Sequence, residues 1–309
     1  MSSTTDPVAV WIEKERFHGD VVDCLTVILR TRGCSWNRCL MCGYRRDTDP
    51  RVTNDDLKKQ LEKALKKGKA KILKIFTSGS FFELDKEFRD FVYNTVSKFG
   101  FEKLIVESRP EFVYKVEEDL EKIDFELEVG IGLETSNDFV REHCINKGFT
   151  FEDFKESSKF LKSKGFRVKV YLLLKPPFLS EKEAIEDAIK SIKDVEGLAD
   201  VVSLNPTNVQ SGTYLEALWR KGLYRPPWFW SVVEVLKNSN IETVSDPVGA
   251  GSFRGPHNCG RCDKVVARAI REFSLYQDKS VFENLNCKCL KRWEVALDLE
   301  NYSRIPLFK

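Results

Sequence analysis

Seven short β-rich runs are each followed by a stretch of helical pattern: Cys24 to Arg30, Ile72 to Thr77, Leu104 to Ser108, Leu127 to Glu134, Arg167 to Leu174, Val201 to Leu204 and Ile241 to Ser245. Runs such as Val170-Tyr171-Leu172-Leu173-Leu174 are apolar on both faces, as parallel strands covered by helices must be. The repetition predicts an α/β chain with a parallel sheet, and 309 residues suit one barrel-like domain. Asn54 is placed to cap a helix that turns Leu57, Leu61 and Leu65 to one side and stops near Gly68. Ser180 and Glu183 form a capping box before Ile185, Ala188 and Ile189. The rhythm ends after Gly249-Ala250-Gly251, so the expected division is a barrel over residues 1–247 and a small cysteine-rich lobe over 248–309.

Composition excludes several classes. With 42% hydrophobic and 32% charged residues the chain is too apolar for a disordered protein and too charged for a membrane bundle. Met1 to Asp6 is polar, without the apolar stretch of a secretion signal, so a cytoplasmic protein with no membrane partner is expected. Fifty Lys and Arg oppose 48 Asp and Glu, which rules out a histone-like polyelectrolyte and leaves only local basic patches for nucleic acid. The lysines between Lys58 and Lys74 form one such stretch, read as a solvated helix face or as a contact for a tRNA backbone. Trp228, Phe229 and Trp230, after Pro226-Pro227, read as packing at a helix start, with base stacking as the alternative.

Seven of the nine cysteines fall in tight groups, which in a reducing compartment points to metal ligands over disulfides. Cys34-x4-Cys39-x2-Cys42 directly follows the first β run, at the strand end where parallel α/β folds carry their chemistry. Structural zinc takes four ligands, whereas a cubane iron–sulfur cluster on three cysteines leaves one iron open. Zinc completed by Cys24 or His18 is the alternative at this point.

This loop resembles that of the radical S-adenosylmethionine (SAM) enzymes, whose commonest spacing is Cys-x3-Cys-x2-Cys; here the first gap is one residue longer and Met41 stands where an aromatic is usual. The resemblance implies a partial (β/α)6-type barrel, a [4Fe–4S] cluster on Cys34, Cys39 and Cys42, bound SAM, and an external electron donor. It further implies that Ser78, Gly79 and Ser80 receive the SAM amino group, that Glu107 and Arg109 engage its carboxylate and ribose, and that Glu134 accepts from ribose hydroxyls. Glu107-Ser108-Arg109-Pro110-Glu111 is similar to a Glu-Thr-Arg-Pro-Asp stretch of the Elongator catalytic subunit family.

Arg32-Gly33-Cys34 through Gly43-Tyr44, Ile145-Asn146-Lys147-Gly148-Phe149, Lys175-Pro176-Pro177-Phe178, Asn205-Pro206-Thr207-Asn208, Arg225-Pro226-Pro227-Trp228 and Gly255-Pro256-His257-Asn258-Cys259 resemble the archaeal radical SAM subunit family of archaeosine synthase. That likeness implies tRNA as substrate and a companion archaeosine synthase subunit that first attaches lysine to a 7-deazaguanine base. It also implies a lyase step that cleaves the bond from the lysine side chain to nitrogen. Lys175, Asn205 and Asn208, with Gln210 nearby, follow the fifth and sixth runs and are the candidates for gripping the adduct. The alternatives are another RNA- or small-molecule-modifying radical SAM enzyme, or a non-catalytic zinc-bearing tRNA-binding protein.

Cys259-x2-Cys262 and Cys287-x-Cys289 supply four soft ligands on two turns. That is the set for closed, structural Zn2+; His257 in place of one thiolate, and a second iron–sulfur cluster, are the alternatives.

Overall fold

In the computed structural model, which describes residues 3–308, His18 and Gly19 make a two-residue turn with φ of 51° and 91°. Met1, Ser2 and Lys309 lie outside the described residues. The turn joins β1 (Ala9–Phe17) to β2 (Asp20–Ile28) as an antiparallel hairpin in register from Ala9 opposite Ile28 to Phe17 opposite Asp20. Positive φ at both central residues matches the right-handed twist of the strands it connects. The sequence reading omitted β1, so the sheet is not purely parallel. The signal was the apolar run Ala9 to Ile12 and the His18-Gly19 turn, but the charged run Glu13 to Arg16 between them disguised it.

Along the chain follow α1 (Asn54–Leu65), β3 (Ile72–Phe76), α2 (Lys86–Phe99), β4 (Lys103–Ser108) and β5 (Glu126–Glu134). Then come α3 (Phe151–Ser163), β6 (Arg167–Leu174), α4 (Glu181–Asp194), β7 (Val201–Pro206), α5 (Tyr214–Arg220), α6 (Phe229–Lys237) and β8 (Thr243–Val244). The chain closes with α7 (Asp263–Tyr276) and α8 (Leu290–Ser303). Strand order equals sequence order, β1 through β8, and β2–β3, β3–β4, β4–β5 and β7–β8 pair in parallel. Between β4 and β5 the helical stretch Pro110–Lys122 is 3-10, and between β5 and β6 a π-helical turn, Val140–Ile145, precedes α3.

The helix ends follow local chemistry. α1 is capped by Thr53, one residue before the expected Asn54, with Asp56 answering the Thr53 backbone N–H. Ser180 and Glu183 form their box as expected at α4. Among the described residues no helix is long and apolar enough to cross a membrane.

Two compact units share these elements. One comprises the chain through Asn37, Tyr44–Gly132 and Glu152–Lys169; the other Arg38–Gly43, Leu133–Phe151 and Val170 onward, including residues 248–309. In the first unit, strand side chains near the amino ends form a buried charge ladder. Lys74 binds Glu13 at 2.9 Å and also Glu15. Lys169 binds Glu15 at 3.4 Å and Glu128 at 2.9 Å, while Lys103 binds Glu128 at 2.6 Å. Lys74 is therefore no part of a solvated basic face, unlike exposed Lys59, Lys66, Lys67 and Lys69. Burial raises the Glu15 carboxyl, but Lys169 and Lys74 outweigh it and hold the group down at about 2. In the second unit Trp228, Phe229 and Trp230 are buried at the start of α6, the packing role read from the sequence.

Candidate active site and metal centre

In the first unit the carboxyl ends of β3 and β4 meet the loop after β2. Thr31 Oγ1 donates to the Thr77 carbonyl at 2.6 Å and accepts from the Gly33 N–H at 3.0 Å, drawing that loop onto the end of β3. Gly79 lies against Cys34: a β-carbon on Gly79 would stand 3.1 Å from the Cys34 backbone nitrogen and α-carbon. Glu83, unmarked in the sequence reading, joins both segments, accepting from the Ser35 N–H at 3.1 Å and the Ser80 N–H at 3.0 Å. Ser78 has φ of 56°, and its hydroxyl and that of Thr77 are buried without a hydrogen-bond partner. A left-handed serine costs on the order of 1 kcal/mol and persists where its surroundings demand it. The orphaned hydroxyls and the close backbone approach fit a polar ligand such as the ammonium end of SAM.

Glu107 accepts from the Thr77 N–H at 3.0 Å, and the Arg109 N–H donates to Ser80 Oγ at 3.0 Å. The Arg109 guanidinium lies 5.3 Å from the Trp36 ring and binds Glu111 at 2.6 Å. Ser78, Gly79, Ser80, Glu107 and Arg109 thus belong to one assembly around Cys34. His18 and Cys24 do not: the His18 turn opens β2 at its opposite end, and Cys24 is buried in mid-strand with its sulfur beside Glu13 and Glu15.

In the second unit, Arg38–Gly43 carries Cys39 and Cys42. Leu40 donates its N–H to Ile145 at 2.9 Å and accepts from the Leu215 N–H at 3.2 Å, while Asn146 Nδ2 donates to the Arg38 carbonyl at 3.0 Å. Met41 packs against Val140, Cys144 and Leu173 on one side and Val209, Leu215 and Tyr224 on the other. An unbranched thioether fills this irregular gap, which accounts for a methionine at the position where relatives of the motif carry an aromatic. The Gly43 N–H donates to Gln210 Oε1, so Gln210 is occupied within the protein rather than free for substrate.

The strand ends of this unit hold the remaining candidates. Glu134 has φ of 69° and binds Lys147 at 2.6 Å. Lys175, with φ of 62°, is buried, and its ammonium binds Glu181 at 2.5 Å with Glu300 at 3.7 Å. Its charge is committed inward, unlike the open cation expected from the sequence. Glu181 is fully buried and also accepts from the Trp228 N–H at 2.8 Å and the Ser231 hydroxyl at 2.5 Å. Asn205 and Asn208 are half-buried; Asn205 Oδ1 accepts from Ser203 at 3.2 Å.

Cys259, Cys262, Cys287 and Cys289 converge, all four sulfurs lying within 4.8 Å of one another. Cys259 is 3.9 Å from Cys262 and 3.7 Å from Cys287, and Cys262 is 3.6 Å from Cys289. Four sulfurs about 2.3 Å from one tetrahedral ion stand about 3.8 Å apart. Asn258 Nδ2 and Trp230 Nε1 donate to the Cys262 and Cys289 sulfurs, each at 3.3 Å, orienting them from outside. His257 is not in the set; its Nδ1 lies 2.7 Å from the Gly255 carbonyl.

A βα chain with a three-cysteine loop after the first parallel strand, and a polar, backbone-tight turn against that loop, defines a class. The sequence profile of the radical SAM superfamily matches residues 28–192, and the chain belongs to that superfamily, an α/β fold of partial-barrel type whose members are enzymes. It is 42% identical to archaeosine synthase subunit beta of Methanosarcina acetivorans, over 98% of this chain and 93% of that one. It is likewise 42% identical to archaeosine synthase subunit beta of Thermococcus kodakarensis, over 93% and 96% respectively. Among solved structures, a queuine lyase from Clostridium spiroforme bound to SAM and queuine shares the fold, with a TM-score of 0.53 and 24% identity over 66% of this chain and 84% of that one.

Proposed function

We propose that this chain is the radical SAM subunit of an archaeosine-forming tRNA-modifying enzyme, a lyase acting on a lysine adduct of a 7-deazaguanine base after a companion subunit has attached the lysine. The observation that carries the reading is its near-full-length likeness to relatives named archaeosine synthase subunit beta. Cys34, Cys39 and Cys42 would hold a [4Fe–4S] cluster. SAM bound there would, on one-electron reduction by the external donor, supply a 5′-deoxyadenosyl radical able to take hydrogen from an unactivated carbon.

The chain's own residues bind and orient. Ser78 and Thr77 offer unpartnered hydroxyls to the SAM ammonium, Gly79 allows close backbone approach, and Glu107 and Arg109 line the same strand ends. Glu134 is the candidate acceptor for ribose hydroxyls. Asn205 and Asn208 are proposed to grip the lysine adduct, and Lys175, held by Glu181, to shape the loop after β6. The four-cysteine group would hold one structural Zn2+, a reading supported by sulfur spacings of 3.6 to 3.9 Å. A second cubane would instead spread its four thiolates over four separate irons. We assign the protein to the cytoplasm on its reducing-compartment cysteine usage, and an external electron donor completes the system.

The test incubates reduced, anaerobic protein with SAM and lysine-adduct tRNA, with and without the companion subunit, and digests the tRNA to nucleosides. Archaeosine with stoichiometric 5′-deoxyadenosine is expected. Deoxyadenosine without archaeosine under either condition removes the substrate and retains the radical SAM assignment.

A further inference from the structure

Within the second unit, hydrogen bonds joined by two short stretches of backbone run from the four-cysteine group to the residue beside Cys42. Asn258, which donates to the Cys262 sulfur at 3.3 Å, has its N–H on Asp263 at 3.0 Å and its carbonyl, with that of His257, on the buried Arg225 guanidinium. Four residues earlier, Arg254 holds both backbone polar groups of Val209. The Arg254 carbonyl accepts the Val209 N–H at 2.7 Å, and Arg254 Nε donates to the Val209 carbonyl at 3.0 Å. Its other nitrogen reaches Glu216 at 2.8 Å, and its guanidinium lies 4.8 Å from the Trp219 ring. Gln210, next in sequence, accepts the Gly43 N–H, and a β-carbon on Gly43 would stand 2.8 Å from Gln210 Cβ.

The segment between the two ends has little freedom. Gly251 donates to the Pro256 carbonyl at 2.9 Å, Gly255 to Ser252 at 3.0 Å, and His257 to Pro227 at 3.3 Å. A loop whose backbone groups are internally paired transmits position instead of absorbing it.

We propose that the four-cysteine centre serves as an anchor for the radical cluster, with Arg254 and Gln210 as positioning residues that fix Cys42 through Gly43. This rests on the radical SAM reading above. The physical consequence concerns the Gly43 N–H. While Gln210 holds it, that donor is withheld from the sulfurs at Cys42; once released it is free to turn toward them. Hydrogen bonds to cluster sulfurs stabilise the reduced, more negative state and raise the reduction potential.

The experiment compares anaerobically reconstituted full-length wild type, Gln210→Ala, Gln210→Glu, Arg254→Ala, Arg254→Lys, Cys262→Ser and, as reference, Cys42→Ala. Readouts are iron content, the electron paramagnetic resonance spectrum of the reduced cluster with and without SAM, and its midpoint potential. Gln210→Ala is expected to keep its iron, raise the potential and alter the SAM-induced spectral change, while Gln210→Glu, which retains the acceptor but adds a negative charge, keeps the wild-type spectral change and shifts the potential downward. Arg254→Ala and Cys262→Ser should show the same spectral change more weakly, with Arg254→Lys between. Wild-type spectra and potentials in Gln210→Ala and Arg254→Ala would overturn the anchor. Should the arginine or cysteine variants fail to fold, Gln210→Ala against Gln210→Glu decides alone. Wild-type iron and spectrum in Cys42→Ala would instead overturn the cluster assignment on which the proposal rests.

Discussion

Gly79 faces Cys34 across a gap with no room for a side chain, a β-carbon there standing 3.1 Å from two backbone atoms of the cysteine. Gly79→Ala is expected to push the Cys34 loop by a few tenths of an ångström and disturb the orphaned Ser78 and Thr77 hydroxyls beside it. SAM affinity should fall at least about tenfold, about 1.4 kcal/mol, with the circular dichroism spectrum unchanged. Equilibrium binding of SAM to the anaerobic protein measures this, and wild-type affinity would remove the turn from the binding site.

On the proposed assignment each of the Cys34, Cys39 and Cys42 thiolates would fix one iron, so replacing any of them by Ala should abolish 5′-deoxyadenosine formation. All three are only partly buried, so no core void results and the thermal unfolding profile should persist. One variant with full SAM cleavage would break the ligand assignment.

The four-cysteine centre predicts a different phenotype. Cys289 and Cys262 are buried beside Trp230 and Asn258, and a metal held there would tie the turn before α7 to the turn before α8. Cys262→Ser, or stripping with a strong chelator, should lower the melting temperature by several degrees and release one equivalent of zinc. Elemental analysis with no zinc, or an unchanged melt in the quadruple Ala variant, would contradict the structural role.

The charge ladder predicts an acid transition. Glu15 is held at about 2, below its ordinary 4.5, because Lys169 and Lys74 outweigh the burial that raises it. A carboxyl depressed in the folded state contributes stability that is complete above its unfolded value and is lost as pH falls through the folded one. Stability should therefore drop between about pH 4.5 and 2. Glu15→Gln should flatten that dependence and, since Lys74 keeps Glu13 and Lys169 keeps Glu128, cost about 1 to 3 kcal/mol at neutral pH. Thermal melts across the pH range check both; an unchanged slope in the variant would show that Glu15 does not govern the transition.

Seven strand positions, β2 to β8, the α4 capping box and both cysteine groups were legible because each rests on neighbours in sequence: apolar runs, a Ser and Glu three apart, cysteines within one short loop. β1 was missed because its inward side chains, Glu13 and Glu15, are charged, and partners from other strands, Thr26, Lys74 and Lys169, make such an interior tolerable. Lys74 was misread for the same reason. Met41 stood out as a departure from a motif, and its explanation lies in Val140, Leu173 and Leu215, all distant in sequence.

The sequence by itself determined the superfamily, the βα order and the identity of seven metal-ligand candidates, since spacing within a loop and periodicity along a strand are local properties of the chain. Tertiary structure alone decided which polar residues are free to act. Lys175 and Gln210 read as open groups until Glu181 and Gly43 were found holding them. Glu83 stands at capping-box spacing from Ser80, a local signal, but its hold on the Ser35 N–H appears only in the fold. A buried polar group must find its partner wherever the fold brings one, and separations of 48 and 167 residues leave no periodicity to read.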